Sequence, residues 1–349
     1  MIFIKDTSPC LEQTPTKHIR SNIMKAAFVF TFLFLSSLCI HAQQDAQFTQ
    51  YVFNGLHINP AYAGYKEDLF VQSFYRTQWE GIKGAPKTFT VSADGATNEG
   101  NVGLGLIVTN DKIGAQRYLT AFANYAYRIR LGNDESSRLA FGLGLGIAQL
   151  GIDGNELSTI QDNDIIVPSG FQSVRVPDAR FGIFYSNNNY YIGASATNIL
   201  ARYMSRKYTA QILVPVPQPH LYLTGGALFS LNEEIKFKPV VLLKEDFRGP
   251  GSLDISTFFL LKEQIWLGAF MRTSVNIVPK NNLQKGLTKE SAMGAIIEIF
   301  ATPNLRIGYS YDYSLNAIRN YNYGSHEISI GLYLKNKRPE NGRLRCYDF

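Results

Sequence analysis

Very little in this sequence could staple, ligate or act as an acid or base. Of its three cysteines, Cys10 and Cys39 fall in or ahead of an N-terminal leader that cleavage after Ala42 would remove, so Cys346 stands alone and no internal disulfide is available. Past the leader the histidines are His57, His220 and His326, far apart and outside any HExxH or paired-cysteine pattern, which excludes the usual metal sites. No cofactor fingerprint is present: in FGLGLGIAQLG the position after Gly142 and Gly144 that GxGxxG reserves for glycine is Ile147. Ser325-His326-Glu327 offers no hydrolase pair, because adjacent strand residues point to opposite faces. Charged residues are scarce at 18%, against roughly 25% in an average soluble domain. The net charge of +6 is scattered rather than gathered on one face, which argues against a nucleic-acid partner. After the leader no run of about 18 apolar residues recurs, which excludes helical membrane spans.

What is present is aromatic and alternating. Met24-Lys25, then AAFVFTFLFLSSLCI, then His41-Ala42 has the positive start, short apolar core and small final residue of a secretory signal peptide. Residues 1–42 are therefore expected to be a leader with translation starting at Met24, and Leu38 ahead of Cys39 excludes a lipid-attachment site. Beyond it, segment after segment has period two. Leu119, Ala121, Ala123, Tyr125, Tyr127 and Ile129 alternate with Thr120, Asn124, Arg128 and Arg130, and Leu305, Ile307, Tyr309 and Tyr311 alternate with Arg306, Gly308, Ser310 and Asp312. A helix would spread both sets around its circumference, whereas a strand keeps them on two faces. A soluble sandwich shares this alternation. Long segments, aromatics near their ends and a small, polar second face favour an all-β, antiparallel transmembrane barrel of the outer-membrane type.

Fourteen segments fit, among them 101–110, 118–131, 178–186 and 219–230, an even number as a closed bacterial barrel requires. Asn187-Asn188, Lys262-Glu263 and Thr302-Pro303 are tight links, whereas 151–177, 199–218 and 274–290 are long. Short periplasmic turns and long outer loops then place both ends of the mature chain in the periplasm. The barrel is expected over 68–335, an N-terminal segment over 43–67 and a periplasmic tail over 336–349. Arg128, Arg130, Arg306 and Asp312 are candidate lumen residues.

One stretch has neither period: DAQFTQYVFNGLHINPAYAG, Asp45 to Gly64. Phe48, Gln50, Tyr51 and Phe53 are candidates to anchor it inside or beneath the barrel together with Tyr62, and Asn54, Asn59 and Pro60 to shape its turns. A free linker is the alternative, although linkers seldom carry so many aromatics. This stretch resembles the N-terminal signature of the PorP/SprF family of Bacteroidetes outer-membrane proteins. RTQWEGIKGAPKTFTVSAD, from Arg76, and GYSYDYSLNAIRNYNYGSHEISIGLYL, from Gly308, are similar to two later blocks of that family. Ala46 and Gly55 stand where the family often has proline.

The resemblance implies a non-enzymatic barrel of the type IX secretion system that helps to export, display or anchor large proteins with C-terminal sorting domains. Gliding-motility adhesins are among such cargo. Its implied partners are outer-membrane lipid, periplasmic machinery and the cargo, with no cofactor and no small-molecule substrate. A passive diffusion channel is the alternative.

Overall fold

The computed structural model describes residues 47–97, 100–132, 137–157, 168, 170–200, 203, 217–247, 249–278, 280 and 290–334. The leader and the tail expected at the two ends of the chain lie outside them. The strands are β1 (Leu69–Thr77), β2 (Lys87–Thr97), β3 (Val102–Ile113), β4 (Gln116–Arg130), β5 (Arg138–Asp153), β6 (Phe171–Ser186), β7 (Tyr190–Thr197), β8 (His220–Ala227), β9 (Phe229–Ser230), β10 (Ile235–Glu245), β11 (Gly251–Leu261), β12 (Ile265–Val275), β13 (Glu290–Thr302), β14 (Leu305–Ser314) and β15 (Ser325–Leu334). β8 and β9 are two parts of one stave interrupted at Leu228, both pairing with β10. Every stave is antiparallel to its neighbours, and β1 closes against β15 from Leu69↔Leu334 to Thr77↔His326. The result is a closed barrel of fourteen staves.

Its two faces are inverted relative to a soluble protein. The apolar set of each alternation is exposed, with Leu106 at 62% and Leu145 at 57%, while Arg306 and Glu298 on the other set are 1% and 0% exposed. A sandwich would bury the first set and wet the second. A continuous apolar exterior is tolerable only against lipid, where closure also leaves no strand edge without a hydrogen-bond partner.

Three sequence expectations need correction. β6 begins at Phe171 rather than 178, so the long link shortens to 154–170 and β5 and β6 form a tall hairpin. β7 pairs with β6 from Phe181 to Ser186, and past that ladder Ile199 N donates to the Ala179 carbonyl at 3.2 Å. Pro177, which has no N–H to donate, lies in the part of β6 outside its ladder with β7. The β3–β4 link is Gly114-Ala115, much tighter than expected, with Gly114 at φ 55°. Arg130 has the inward phase of Arg128, but it is the last residue of β4 and is exposed at the barrel's rim instead of sitting in the lumen.

The end of the barrel where β1 begins and β15 stops is called the near end below, and the opposite one the far end.

Candidate functional site

The interior of the barrel is occupied by the chain's own N-terminal segment. From Phe48 to Lys66 it makes three short turns, Gln50–Phe53, Gly55–Ile58 and Pro60–Tyr62, before entering β1. The third turn follows from local chemistry: Asn59 Oδ1 accepts from Ala61 N at 2.9 Å, and Pro60 occupies the first position, where no N–H is needed. Each of the eight residues named from sequence, Phe48, Gln50, Tyr51, Phe53, Asn54, Asn59, Pro60 and Tyr62, is buried. Ring contacts reach two separate parts of the wall. Phe53 meets Phe258 on β11 at 5.5 Å between centroids, and Tyr62 meets Phe184 on β6 at 5.7 Å.

Irregular backbone at membrane depth must find partners other than water. The wall supplies them with charged and polar side chains aimed at the segment's main chain. Glu327 on β15 accepts from Thr49 N at 2.9 Å and Gln50 N at 3.0 Å, one through each carboxylate oxygen. Asp94 on β2 accepts from Gly64 N at 2.8 Å. Arg180 on β6 donates to the carbonyls of Leu56 and His57 at 2.8 and 2.7 Å, Arg128 on β4 to that of Ala63, and Ser195 on β7 to that of Ile58 at 2.5 Å. Asn59 Nδ2 reaches the carbonyls of Ile183 and Ala194 at 3.1 and 3.4 Å. Sequence reasoning gave Asn59 only a turn-forming role.

A buried charge network closes around the segment's first turn. Arg76 pairs with Asp312 at 2.6 Å and Glu327 at 3.0 Å. Thr49 Oγ1 donates to Asp312 at 2.7 Å and accepts from Arg76 at 3.1 Å, so it completes the same cluster. Arg272 holds Asp254 with two nitrogens and lies 3.8 Å from Asp312. Of the lumen candidates, Asp312 belongs to this network and Arg128 grips the segment. Arg306 pairs instead with Glu298 at 3.1 Å, beneath the Phe300 ring. Glu327 and Thr49 were missed; the inward phase that Glu327 shares with Ser325 and Ser329 was the signal that could have found the carboxylate.

In FGLGLGIAQLG, Gly142 lies against the segment itself, whereas Gly144 meets Asn124 and Arg180 and Gly146 meets Phe122. A Cβ on Gly142 would collide with the backbone of Ala61, and one on Gly103 with the Ala63 carbonyl. The wall is thinned where the segment lies against it. Gly142→Val should therefore destabilise the barrel by about 1–3 kcal/mol or more, since the obstacle is main chain and cannot rotate away. Leu143→Val, facing outward beside it, should change stability by less than about 1 kcal/mol in the same thermal unfolding assay.

The polar contacts of the arrangement are made to polypeptide main chain. Among the described residues no three His, Cys, Asp or Glu side chains are grouped so as to hold a metal ion. His326 faces outward, 2.7 Å from Tyr309 Oη and 3.0 Å from Glu80, whereas Ser325 faces inward and bonds to Trp79 N. Two cavities flank the segment, of about 20 and 30 Å³, room for a water or two each.

A family model described as "Type IX secretion system membrane protein PorP/SprF" matches residues 40–332. No curated protein sequence matches the chain. Among solved structures, the CymD monoaromatic hydrocarbon channel superposes with a TM-score of 0.48 at 10% identity, over 82% of this chain and 94% of that one. A Pseudomonas aeruginosa FadL homologue gives 0.45 at 9% identity over 82% and 94%, and the Acinetobacter baumannii outer membrane protein Omp33 gives 0.43 at 9% over 76% and 98%.

Proposed function

The chain belongs to the PorP/SprF family of type IX secretion system membrane proteins, and from that premise we propose that it is a non-enzymatic outer-membrane barrel assisting the export, surface display or anchoring of large secreted proteins. The observation that carries this reading is the filled lumen. A barrel whose interior grips its own N-terminal segment through Glu327, Asp94, Arg128, Arg180 and Ser195 is built to bind polypeptide and to work at its two ends, not to pass solutes. In this proposal the near end, where β1 begins and β15 stops, faces periplasmic components of the secretion machinery; the expectation that both ends of the mature chain share that side is corrected for the N-terminal segment, whose first described residues lie toward the far end, with Thr49 beside Glu327, Asp312 and Arg76. The far end, with the longer links 154–170, 198–219 and 276–289, faces the cargo.

Deletion of the gene should abolish surface display of one or a few large proteins carrying C-terminal sorting domains, while uptake of small solutes stays at parental level. Complementation with His326→Ala should restore display in full. Unchanged display in the deletion strain, read by surface proteolysis and whole-cell immunoblotting, would overturn the proposal. Lost solute uptake would favour the diffusion channel.

A further inference from the structure

The exterior of the barrel carries a one-sided band of positive charge. Among the described residues, the strand lysines and arginines whose alternation points outward are Lys87, Lys112, Arg117 and Arg175. All four lie at the far end, on β2, β3, β4 and β6. Lys87 stands directly opposite Lys112, and Lys112 directly opposite Arg117, in the strand register. Like charges facing one another across a sheet are destabilising, so such a row calls for an anion. Two carboxylates answer part of it: Glu156 lies 2.7 Å from Lys112 and 3.4 Å from Arg117, and Asp153 lies 3.0 Å from Arg117. The hydrogen bond from Lys112 holds the Glu156 carboxyl below its ordinary range. Lys87 has no carboxylate within ion-pair distance among the described residues, and Arg175 donates to the neutral Gln149 at 3.1 Å.

Height in the membrane identifies the ligand. β2 is eleven residues long with Lys87 at its far end, and Lys112 is the last but one residue of the twelve-residue β3. A tilted membrane strand needs about 9–11 residues, so these cations sit where hydrocarbon gives way to headgroups. Below them, apart from Asn110, the outward face turns apolar: Phe89 and Val91, Val108, Leu119 and Ile147 are exposed. The near end is different, since its strand cations Arg130, Arg138, Lys236 and Arg306 all have the inward phase, and Arg138 and Lys236 meet Glu67 at 2.6 Å and Glu263 at 2.8 Å.

We propose that the row of Lys87, Lys112, Arg117 and Arg175 is a binding site for the phosphate groups of a lipid headgroup in the leaflet at the far end of the barrel. Basic residues clustered at a membrane surface attract anionic headgroups, and the apolar belt beneath them accepts the acyl chains. Which leaflet supplies the lipid rests on the orientation proposed above; the binding itself does not. With the far end outward, the ligand is a phosphorylated saccharolipid of the outer leaflet, and its attachment would orient the barrel beside the loops that meet cargo.

The test uses the full chain in detergent micelles, with thermal unfolding and binding measured against lipid A, lipid A stripped of its phosphates, and inorganic phosphate. Phosphorylated lipid A should raise Tm and bind roughly 10- to 30-fold more tightly than to the Lys87→Gln/Arg175→Gln double variant, which leaves the pairs with Asp153 and Glu156 intact. An equal response to dephosphorylated lipid A, an equal response to inorganic phosphate, or undiminished binding by the variant would each overturn the site. Orientation is read separately, by labelling a Lys83→Cys/Cys346→Ser variant from outside intact cells, so a failure of the topology cannot be mistaken for a failure of the site.

Discussion

Glu327→Ala should cost the barrel about 3–5 kcal/mol, the range seen when one partner of a buried ion pair is removed and the other remains. Glu327 is fully buried and does three things at once. It pairs with Arg76 at 3.0 Å and accepts the main-chain N–H groups of Thr49 and Gln50. Truncation leaves Arg76 to Asp312 alone, and that carboxylate already serves Thr49 and faces Arg272. Two amides inside the barrel lose their acceptor, at about 1–3 kcal/mol each where no water replaces it. Glu327→Gln keeps one carbonyl oxygen for one amide and should fall between the variant and the parent. Thr49→Val removes only a hydroxyl shared by Asp312 and Arg76 and should cost about 1 kcal/mol. Heat-modified gel migration and denaturant unfolding in detergent measure this order. Proteolysis between residues 47 and 68 should follow it, with cleavage fastest in Glu327→Ala. A Glu327→Ala barrel within about 0.5 kcal/mol of the parent would show that the segment is not held by this carboxylate.

The barrel was legible because period two is a property of neighbouring residues. Leu119 to Ile129 on β4 and Leu305 to Tyr313 on β14 declare a lipid face without reference to the rest of the chain. The same rule placed Arg128, Arg306 and Asp312 inward. It failed for Arg130, because phase says which side a residue leaves the strand and not whether the strand still has a lumen beside it. β6 extends seven residues further back than the alternation suggested, through a stretch that carries Pro177 and lies outside the ladder with β7. The N-terminal segment resisted for a different reason. Its partners are far away in sequence: Glu327 lies 278 positions from Thr49, and Asn59 lies 124 from Ile183. Nothing local in SHEIS announces a receptor for two amides. Gly142 was legible as a thin wall, yet what the thinness serves, the main chain of Ala61, appears only once the barrel is closed around it.

A barrel lacking residues 47–66 should conduct ions in planar bilayers on the order of tenfold or more above the full chain, which should be nearly silent. Small eight-stranded barrels are filled by side chains and sixteen-stranded porins leave an aqueous channel, so fourteen staves have room for a pore unless something occupies it. Here the occupant is the segment, and the two cavities described beside it have room for a water or two each. Removing it strips Glu327 and Asp94 of their amide donors and Arg128 and Arg180 of their carbonyl acceptors. Charges on an inner wall do not tolerate a dry void, so water and salt should enter rather than the wall collapsing. A closed ladder of fourteen staves, each bonded to two neighbours, should survive the loss with a lower Tm. Trans-addition of a synthetic peptide spanning residues 45–68 separates a vacated site from a deformed barrel. The peptide should suppress the current, because the wall that recognises it remains, and a peptide with Asn59→Ala, Gln50→Ala and Thr49→Val should suppress it far less. A steady, large conductance from the full chain would refute the segment as a seal. A silent deletion variant that still folds would mean that the wall itself closes the lumen.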